Sequence, residues 1–204
     1  MTENSDNPQT VFIVDDDPAI RIAMQALLES VNIKHEIFAS ADEFLQGEES
    51  RRSGCLVLDI RMPGLGGLEL QDELIARNST LPIIFITGHG DVPMAVDAMQ
   101  KGAVDFIQKP FRDQELLDRI REALSTDRQR REELDRHAEV VNRLDRLTKR
   151  EREVFDLVVT GKPNKVIAYE LDVSQRTVEI HRARVMEKME AKSLADLVRM
   201  HIAL

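Results

Sequence analysis

The sequence has a single cysteine, Cys55, and no tryptophan among its 204 residues. One cysteine excludes an internal disulfide framework and a zinc site built from several cysteines. Long apolar runs are also missing, because no stretch approaches the roughly 18 consecutive apolar residues of a transmembrane helix. The polar start MTENSDNPQT lacks the basic and then apolar order of a signal peptide. We therefore expect a cytoplasmic protein without a membrane partner, in which Cys55 is a small core residue.

Positive charge is scarce as well, with 28 basic against 37 acidic side chains and a net charge of −9. The net charge of the whole chain argues against nucleic acid as a partner, because nucleic acids favour basic surfaces. The charge is uneven, however: it is −11 over residues 1–124, zero over 125–146 and +2 over 147–204. Since the length suits two domains, these boundaries predict an acidic domain, a linker and a weakly basic domain.

The predicted linker, residues 125–146, contains no glycine or proline and few apolar residues. This composition predicts an exposed helix that continues the helix before it. Ile120, Leu134 and Val141 fit a seven-residue spacing, which Asp127 interrupts. Two interpretations stay open, a solvated helix without a partner and a coiled-coil seam between two copies of the chain.

Short apolar runs alternate with helical patterns in the first domain. Five runs rich in β-branched and aromatic residues predict strands: TVFIV at 10–14, HEIF at 35–38, CLVL at 55–58, PIIFI at 82–86 and DFIQ at 105–108. Alternation of strand and helix predicts an α/β fold with a five-stranded parallel sheet covered on both faces, doubly wound and flavodoxin-like. Ligands of such folds bind beyond the carboxyl ends of the strands.

Chemically distinct polar side chains follow four of these strands. Asp15 and Asp16 come after the first strand, Asp59 after the third, Thr87 after the fourth and Lys109 after the fifth. Clustered carboxylates repel one another unless a cation is present, and hard oxygen ligands suit Mg²⁺. One aspartate could then attack phosphorus, with the ammonium and the hydroxyl contacting the phosphoryl oxygens.

The runs FIVDDD, LVLDIRMPG, FITGHGD and GAVDFIQKPF resemble the receiver domain of two-component response regulators over residues 9–125. The resemblance implies that Asp59 accepts a phosphoryl group from a sensor histidine kinase. It implies that Mg²⁺ or Mn²⁺ is held by Asp15, Asp16, Asp59 and the backbone carbonyl of Arg61. The switch and phosphate-contacting residues that it implies are Thr87, Lys109 and Phe106. It also implies a cis peptide bond between Lys109 and Pro110.

Residues 147–204 show helical periods without strand alternation. A helix over residues 164–171 is expected to place Val166, Ile167 and Leu171 inward. After a short turn, Ser174 is expected to cap a longer helix. Two helices joined in this way predict a helix-turn-helix whose second helix enters the major groove. Val178, Val185 and Met189 of that helix share a core-facing side. Base contacts are predicted for Glu179, Ile180 and Ala183, and phosphate contacts for Lys165, Arg176, Thr177, Arg182, Arg184 and Lys188.

The segment from LTKREREVFDL to KSLADLV resembles the LuxR-type helix-turn-helix, an all-α domain of four helices. Together the two resemblances point to the NarL/FixJ class of response regulators, and to its FixJ-like members. The class implies a transcription factor, not an enzyme, that binds promoter DNA, works with RNA polymerase and forms a homodimer on phosphorylation. The alternatives are a DNA-binding regulator independent of phosphorylation and an aspartyl-phosphate phosphohydrolase. The phosphohydrolase is disfavoured because Arg61 stands where a second acid is needed.

Overall fold

The computed structural model describes residues 9–47, 52–88 and 92–204. The polar start of the chain and part of the FITGHGD run, including His89, lie outside these ranges. The chain divides into two compact units, Met1–Arg130 and Arg131–Leu204. None of the helices within the described ranges is both long and apolar enough to cross a membrane.

The first unit alternates strand and helix, as its apolar periods predict. The strands are β1 (Thr10–Val14), β2 (His35–Phe38), β3 (Gly54–Asp59), β4 (Ile83–Thr87) and β5 (Asp105–Gln108), and the helices are α1 (Pro18–Ser30), α2 (Ala41–Leu45), α3 (Gly67–Ala76), α4 (Val92–Gln100) and α5 (Asp113–Asp145). The strands pair in parallel in the order β2-β1-β3-β4-β5. This order is that of the flavodoxin-like fold, so the predicted fold class is confirmed.

Helices cover both faces of the sheet, because the side chains of each strand alternate between two apolar cores. In β1, Phe12 and Val14 belong to one core, whereas Val11 and Ile13 belong to the other. Cys55 at the start of β3 is fully buried, which confirms its expected place in the core. Burial raises the pKa of its thiol to about 12, so the thiol stays protonated at neutral pH.

Strand order brings the predicted site residues to one edge of the sheet. Chain connections leave β1 and β3 toward opposite sides, and a crevice forms at such a switch point. Val14 pairs with Leu58 in the register of β1 and β3, so Asp15 and Asp59, the next residues, lie side by side. Thr87 is the last residue of the neighbouring strand β4. The fold therefore gathers these side chains from separate parts of the chain.

The second unit is all helical. After the end of α5 it contains α6 (Lys149–Val159), α7 (Asn164–Glu170), α8 (Gln175–Lys188) and α9 (Leu194–Ile202), which confirms the predicted four-helix domain. Its core includes Val154, Phe155, Ile167, Val178, Val185, Met189 and Leu197. The expectation for Val166 is wrong, because this side chain is 38% exposed. Helix α7 has only seven residues and buries Ile167, as predicted, together with Ala168.

Helix α5 covers the predicted linker and is unbroken over 33 residues. Ile120 and Asp127 on its seven-residue stripe are buried, whereas Leu134 and Val141 are 53% and 36% exposed. Residues 128–139 are exposed apart from the half-buried Arg131. The aspartate that interrupts the apolar spacing is therefore a buried residue. The choice between a solvated helix and a coiled-coil seam stays a prediction.

Candidate functional site

Two buried carboxylates and one ammonium meet at the carboxyl edge of the sheet. The Nζ atom of Lys109 lies 2.8 Å from Oδ2 of Asp15 and 2.7 Å from Oδ1 of Asp59. The peptide bond between Lys109 and Pro110 is cis, and the backbone N–H of Lys109 donates to the carbonyl of Thr87 at 2.7 Å. The structure thus brings together the residues that follow β1, end β3 and follow β5.

Backbone groups satisfy the remaining oxygens of the two carboxylates. Oδ1 of Asp15 accepts from the backbone N–H of Asp17 at 2.8 Å, and Oδ2 of Asp59 accepts from that of Arg61 at 3.0 Å. A Cβ atom at Gly67 would lie 2.3 Å from the carbonyl oxygen of Asp59. The absence of a side chain at this glycine therefore lets α3 begin directly beside the cluster.

For both Asp59 and Lys109, burial and the contact between them shift the pKa in opposite directions. Burial raises the pKa of Asp59 above its usual value, and the Asp15 charge raises it further, against the lowering effect of the Lys109 hydrogen bond and charge. Burial lowers the pKa of Lys109, but its hydrogen bonds to Asp15 and Asp59 outweigh burial and leave this pKa raised. The ammonium therefore stays charged and neutralises part of the carboxylate repulsion.

The donor atoms of this cluster are hard oxygens of the kind that Mg²⁺ prefers. Asp15 and Asp59 already share one cation, the Lys109 ammonium, so their carboxylates fit a positively charged partner. Asp16, the third predicted carboxylate ligand, is exposed. In the described parts of the chain, no three His, Cys, Asp or Glu side chains stand close enough together to hold a metal ion. The structure thus brings together two of the three predicted carboxylate ligands.

The predicted switch residues lie on the two strands beside the cluster. Thr87 is buried at the end of β4. Phe106 is half-buried in β5, where it pairs in register with Phe85 of β4 and packs on the core that includes Phe85. Thr87 therefore lies at the edge that carries Asp59, whereas Phe106 lies in the neighbouring strand, three residues before Lys109.

The second candidate site is the helix-turn-helix formed by α7 and α8. Asp172 in the turn has a positive φ of 52°, and the N–H of Val173 donates to the carbonyl of Ala168 at 3.0 Å. Ser174 caps α8 as predicted, because its Oγ atom accepts from the backbone N–H of Thr177 at 3.1 Å. The predicted core side of α8, formed by Val178, Val185 and Met189, is fully buried, which confirms the orientation of this helix.

The side chains predicted to contact DNA differ in how far they reach solvent. The three predicted to contact bases are exposed, and so are three of those predicted to contact phosphates: Glu179, Ile180, Ala183, Lys165, Arg176 and Arg184. Thr177 is half-buried and shares a hydrogen bond with the hydroxyl of Ser174 at 2.8 Å. Arg182 is half-buried, and its NH1 atom donates to Oδ1 of Asn164 at 2.9 Å. Six of the nine side chains predicted to contact DNA are thus exposed to solvent.

Lys188 already has a structural partner that sequence reasoning missed. Its Nζ atom lies 2.6 Å from Oε2 of Glu151, a buried residue, and 3.1 Å from the carbonyl of Arg146. Glu151 also forms a capping box with Thr148 at the start of α6. The hydrogen bond from Lys188 and the backbone N–H of Thr148 lower the pKa of Glu151 to about 2. The spacing Thr-x-x-Glu signals the capping box, but no local pattern links Glu151 to Lys188, which is 37 residues away.

Two family models match the chain, one over each unit. Residues 11–121 match the response regulator receiver domain, and residues 145–201 match the bacterial regulatory proteins of the luxR family. Nodulation protein W of Bradyrhizobium diazoefficiens is 50% identical over 190 residues, which is 93% of this chain and 84% of that protein. Transcriptional regulatory protein FixJ of Rhizobium meliloti is 47% identical over 194 residues, with 95% of each chain covered.

Solved structures agree with these matches over the whole chain. The response regulator StyR is similar with a TM-score of 0.88 and 42% identity, covering 96% of this chain and 99% of that one. Full-length FixJ from B. japonicum is similar with a TM-score of 0.61 and 41% identity, covering 96% and 97%. The similarity therefore extends across both units.

Proposed function

Since the chain belongs to the two-component response regulators that join a receiver domain to a LuxR-type DNA-binding domain, we propose that Asp59 is its phosphorylation site and that phosphorylation raises its affinity for promoter DNA. The family match confirms the resemblance found in the sequence: the chain is a response regulator and a DNA-binding transcription regulator, whose family implies a kinase and DNA as partners. The assignment of Asp59 is supported by its buried carboxylate, 2.7 Å from the Lys109 ammonium at the carboxyl edge of the sheet.

In the proposed reaction, an oxygen of the Asp59 carboxylate attacks the phosphorus atom of a phosphohistidine on the kinase. A new phosphorus–oxygen bond forms, the phosphorus–nitrogen bond breaks, and the electron pair leaves with the imidazole, which takes up a proton. Mg²⁺ or Mn²⁺, held by Asp15, Asp16, Asp59 and the backbone carbonyl of Arg61, would supply positive charge that stabilises the phosphoryl group. The Lys109 ammonium, already at the Asp59 carboxylate, would then contact a phosphoryl oxygen.

The added charge would act on the neighbouring strands. A phosphoryl group brings about −1.5 to −2 charge at neutral pH, and the Thr87 hydroxyl lies on the adjacent strand, where it can donate to a phosphoryl oxygen. Movement of Thr87 would leave space for Phe106 to turn inward, which changes the surface formed by α4, β5 and α5. We propose that phosphorylation in this way promotes a homodimer in the cytoplasm, and that the dimer works with RNA polymerase at promoters. Two weakly basic DNA-binding domains held together gain the avidity that one lacks.

The function is tested on the full chain with a DNA duplex that the phosphodonor-treated protein selects from a random pool. Acetyl phosphate with Mg²⁺ should tighten binding by about tenfold, within the usual range of coupling between two sites. An Asp59→Asn variant should bind with the untreated affinity under both conditions. Equal affinity of the wild-type protein before and after treatment would favour the regulator that does not depend on phosphorylation.

The division of the side chains of α7 and α8 into base and phosphate contacts makes a further prediction. Glu179→Ala should cost about 1–3 kcal/mol at one base position and relax the preference there, because its carboxylate would accept from a base edge. Lys165→Ala should weaken every sequence alike and reduce the salt slope by about one. The matched control is Glu187→Ala, which removes another exposed acid of α8. Equal losses on every sequence for both variants would contradict this division.

A further inference from the structure

Asp127 is a fully buried carboxylate in the middle of helix α5. Its Oδ2 atom accepts hydrogen bonds from the backbone N–H of Gly54 at 2.8 Å, from Oγ of Ser53 at 3.1 Å and from Nε2 of Gln9 at 3.3 Å. Burying a charged group is costly unless hydrogen bonds compensate for the lost water. The helix therefore cannot shift or turn here without leaving buried donors and a buried acceptor unpaired.

These donors lie at the amino edge of the sheet, where β1 and β3 begin. Gly54 is the first residue of β3 and Asp59 is the last. Asp127 therefore contacts the end of β3 opposite to the proposed phosphorylation site. A Cβ atom at Gly54 would lie 1.8 Å from the carbonyl oxygen of Thr10, and its φ of 136° is unfavourable for other residues. The two strands approach each other closely at this glycine, and this fixes the position of the Gly54 N–H that donates to Asp127.

The side chain of Gln9 holds α5 on both sides of Asp127. Its Nε2 atom also donates to the carbonyl of Leu124 at 2.6 Å, and its Oε1 atom accepts from NH2 of Arg128 at 3.0 Å. Beyond this point the helix leaves the sheet, because residues 128–139 are exposed apart from the half-buried Arg131. Asp127 is therefore the last buried residue of α5 before the exposed stretch.

We propose that Asp127 is a positioning residue, which fixes the point and the direction at which α5 leaves the receiver unit, and that the rise in DNA affinity on phosphorylation depends on this contact. The second part rests on the proposed function. An α-helix turns by about 100° per residue, so fixing one side chain sets the direction of every later one. Without this contact the exposed stretch of α5 after Asp127 is free to open and rotate, and a change in the receiver unit is transmitted less rigidly.

The first test measures amide hydrogen exchange in the full chain without a phosphodonor. In Asp127→Ala, the backbone amides of residues 124–135 should exchange about tenfold faster than in the wild type, since hydrogen bonds to a charged group are lost, while strands β1 and β4 keep their protection. Asp127→Asn, which retains one acceptor oxygen, should show a smaller effect. Asp135→Ala, which removes an exposed acid of the same helix, should match the wild type. Unchanged exchange in Asp127→Ala would overturn the proposal.

The second test measures the gain in DNA affinity on treatment with acetyl phosphate and Mg²⁺. In Asp127→Ala and Ser53→Ala this gain should fall several-fold although intact mass shows the same phosphorylation as in the wild type. A purely structural role would lower the unfolding midpoint and leave the gain unchanged, which would overturn the coupling. If Asp127→Ala does not fold, Ser53→Ala and Asp127→Asn decide the same question. If the wild type shows no gain, the proposed function fails, and exchange alone then decides the positioning role.

Discussion

Replacing Asp59 with asparagine is expected to abolish the single phosphoryl adduct that acetyl phosphate and Mg²⁺ form on the wild-type chain. The amide has no anionic oxygen to attack phosphorus, and it occupies nearly the same volume, so the fold should be retained. Intact mass would show one added phosphoryl group on the wild type and none on the variant. Because Mg²⁺ would supply the charge that stabilises the phosphoryl oxygens, adding EDTA should slow adduct formation by at least about tenfold.

Asp118→Asn is the control for this experiment, since it changes an exposed acid of α5 and should leave the adduct intact. An adduct of the same yield on Asp59→Asn would place the phosphorylation site elsewhere. Continuous release of phosphate without a lasting adduct would instead favour the phosphohydrolase interpretation. The wild-type adduct should be stable enough to isolate, because no acid follows Asp59 at the position where Arg61 stands.

The second large effect is expected for Lys109→Met, which keeps the length of the side chain and removes its charge. Asp15 and Asp59 would then be buried beside each other without their shared cation. Breaking a buried ion pair from one side typically costs 3–5 kcal/mol, so we expect the free energy of unfolding of the receiver unit to fall by about 3 kcal/mol. Urea denaturation without a divalent cation measures this loss. Millimolar Mg²⁺ should restore part of it, because a ligand that binds the folded state stabilises that state.

Lys101→Met is the matched control, because this ammonium also lies between two carboxylates, those of Asp72 and Asp97, but at the surface. Exposed pairs contribute about 0–1 kcal/mol. Lowering the pH should also reduce the deficit of Lys109→Met: the pKa of Asp59 is already raised in the wild type, and protonation removes the repulsion between the carboxylates. Equal losses for the two lysine variants would show that the Asp15–Asp59–Lys109 cluster needs no cation.

The strands and the site residues could be predicted from short stretches of sequence. Alternating apolar runs indicate buried strands, and the fold then dictates that residues after those strands meet at one edge. Asp15, Asp59 and Lys109 meet there as predicted, although Lys109 is 50 residues from Asp59 along the chain. Asp16 follows the same strand as Asp15 and is exposed, whereas Asp15 is buried against Lys109, a difference that the sequence does not reveal.

Helical periodicity predicted the buried side of α8 correctly, but it predicted burial less well in the short helix α7 and in the long helix α5. Val178, Val185 and Met189 are buried as their spacing predicts. Val166 is not, because a helix of seven residues is oriented by its neighbours more than by its own pattern. The exposed Leu134 and Val141 continue the stripe of the buried Ile120 and Asp127, so the environment of one stripe changes along α5.

The sequence by itself determined the class of fold, the two domains and the residue types of the proposed phosphorylation site, because these depend on local patterns and on motifs of fixed spacing. Tertiary structure decided which charged side chains form hydrogen bonds or ion pairs inside the protein. Asp127 reads as an interruption of an apolar stripe, yet it accepts from Gly54, 73 residues away. Lys188 reads as a surface cation, yet it pairs with the buried Glu151. Such contacts join residues far apart along the chain, and only folding brings their donors and acceptors within hydrogen-bond distance.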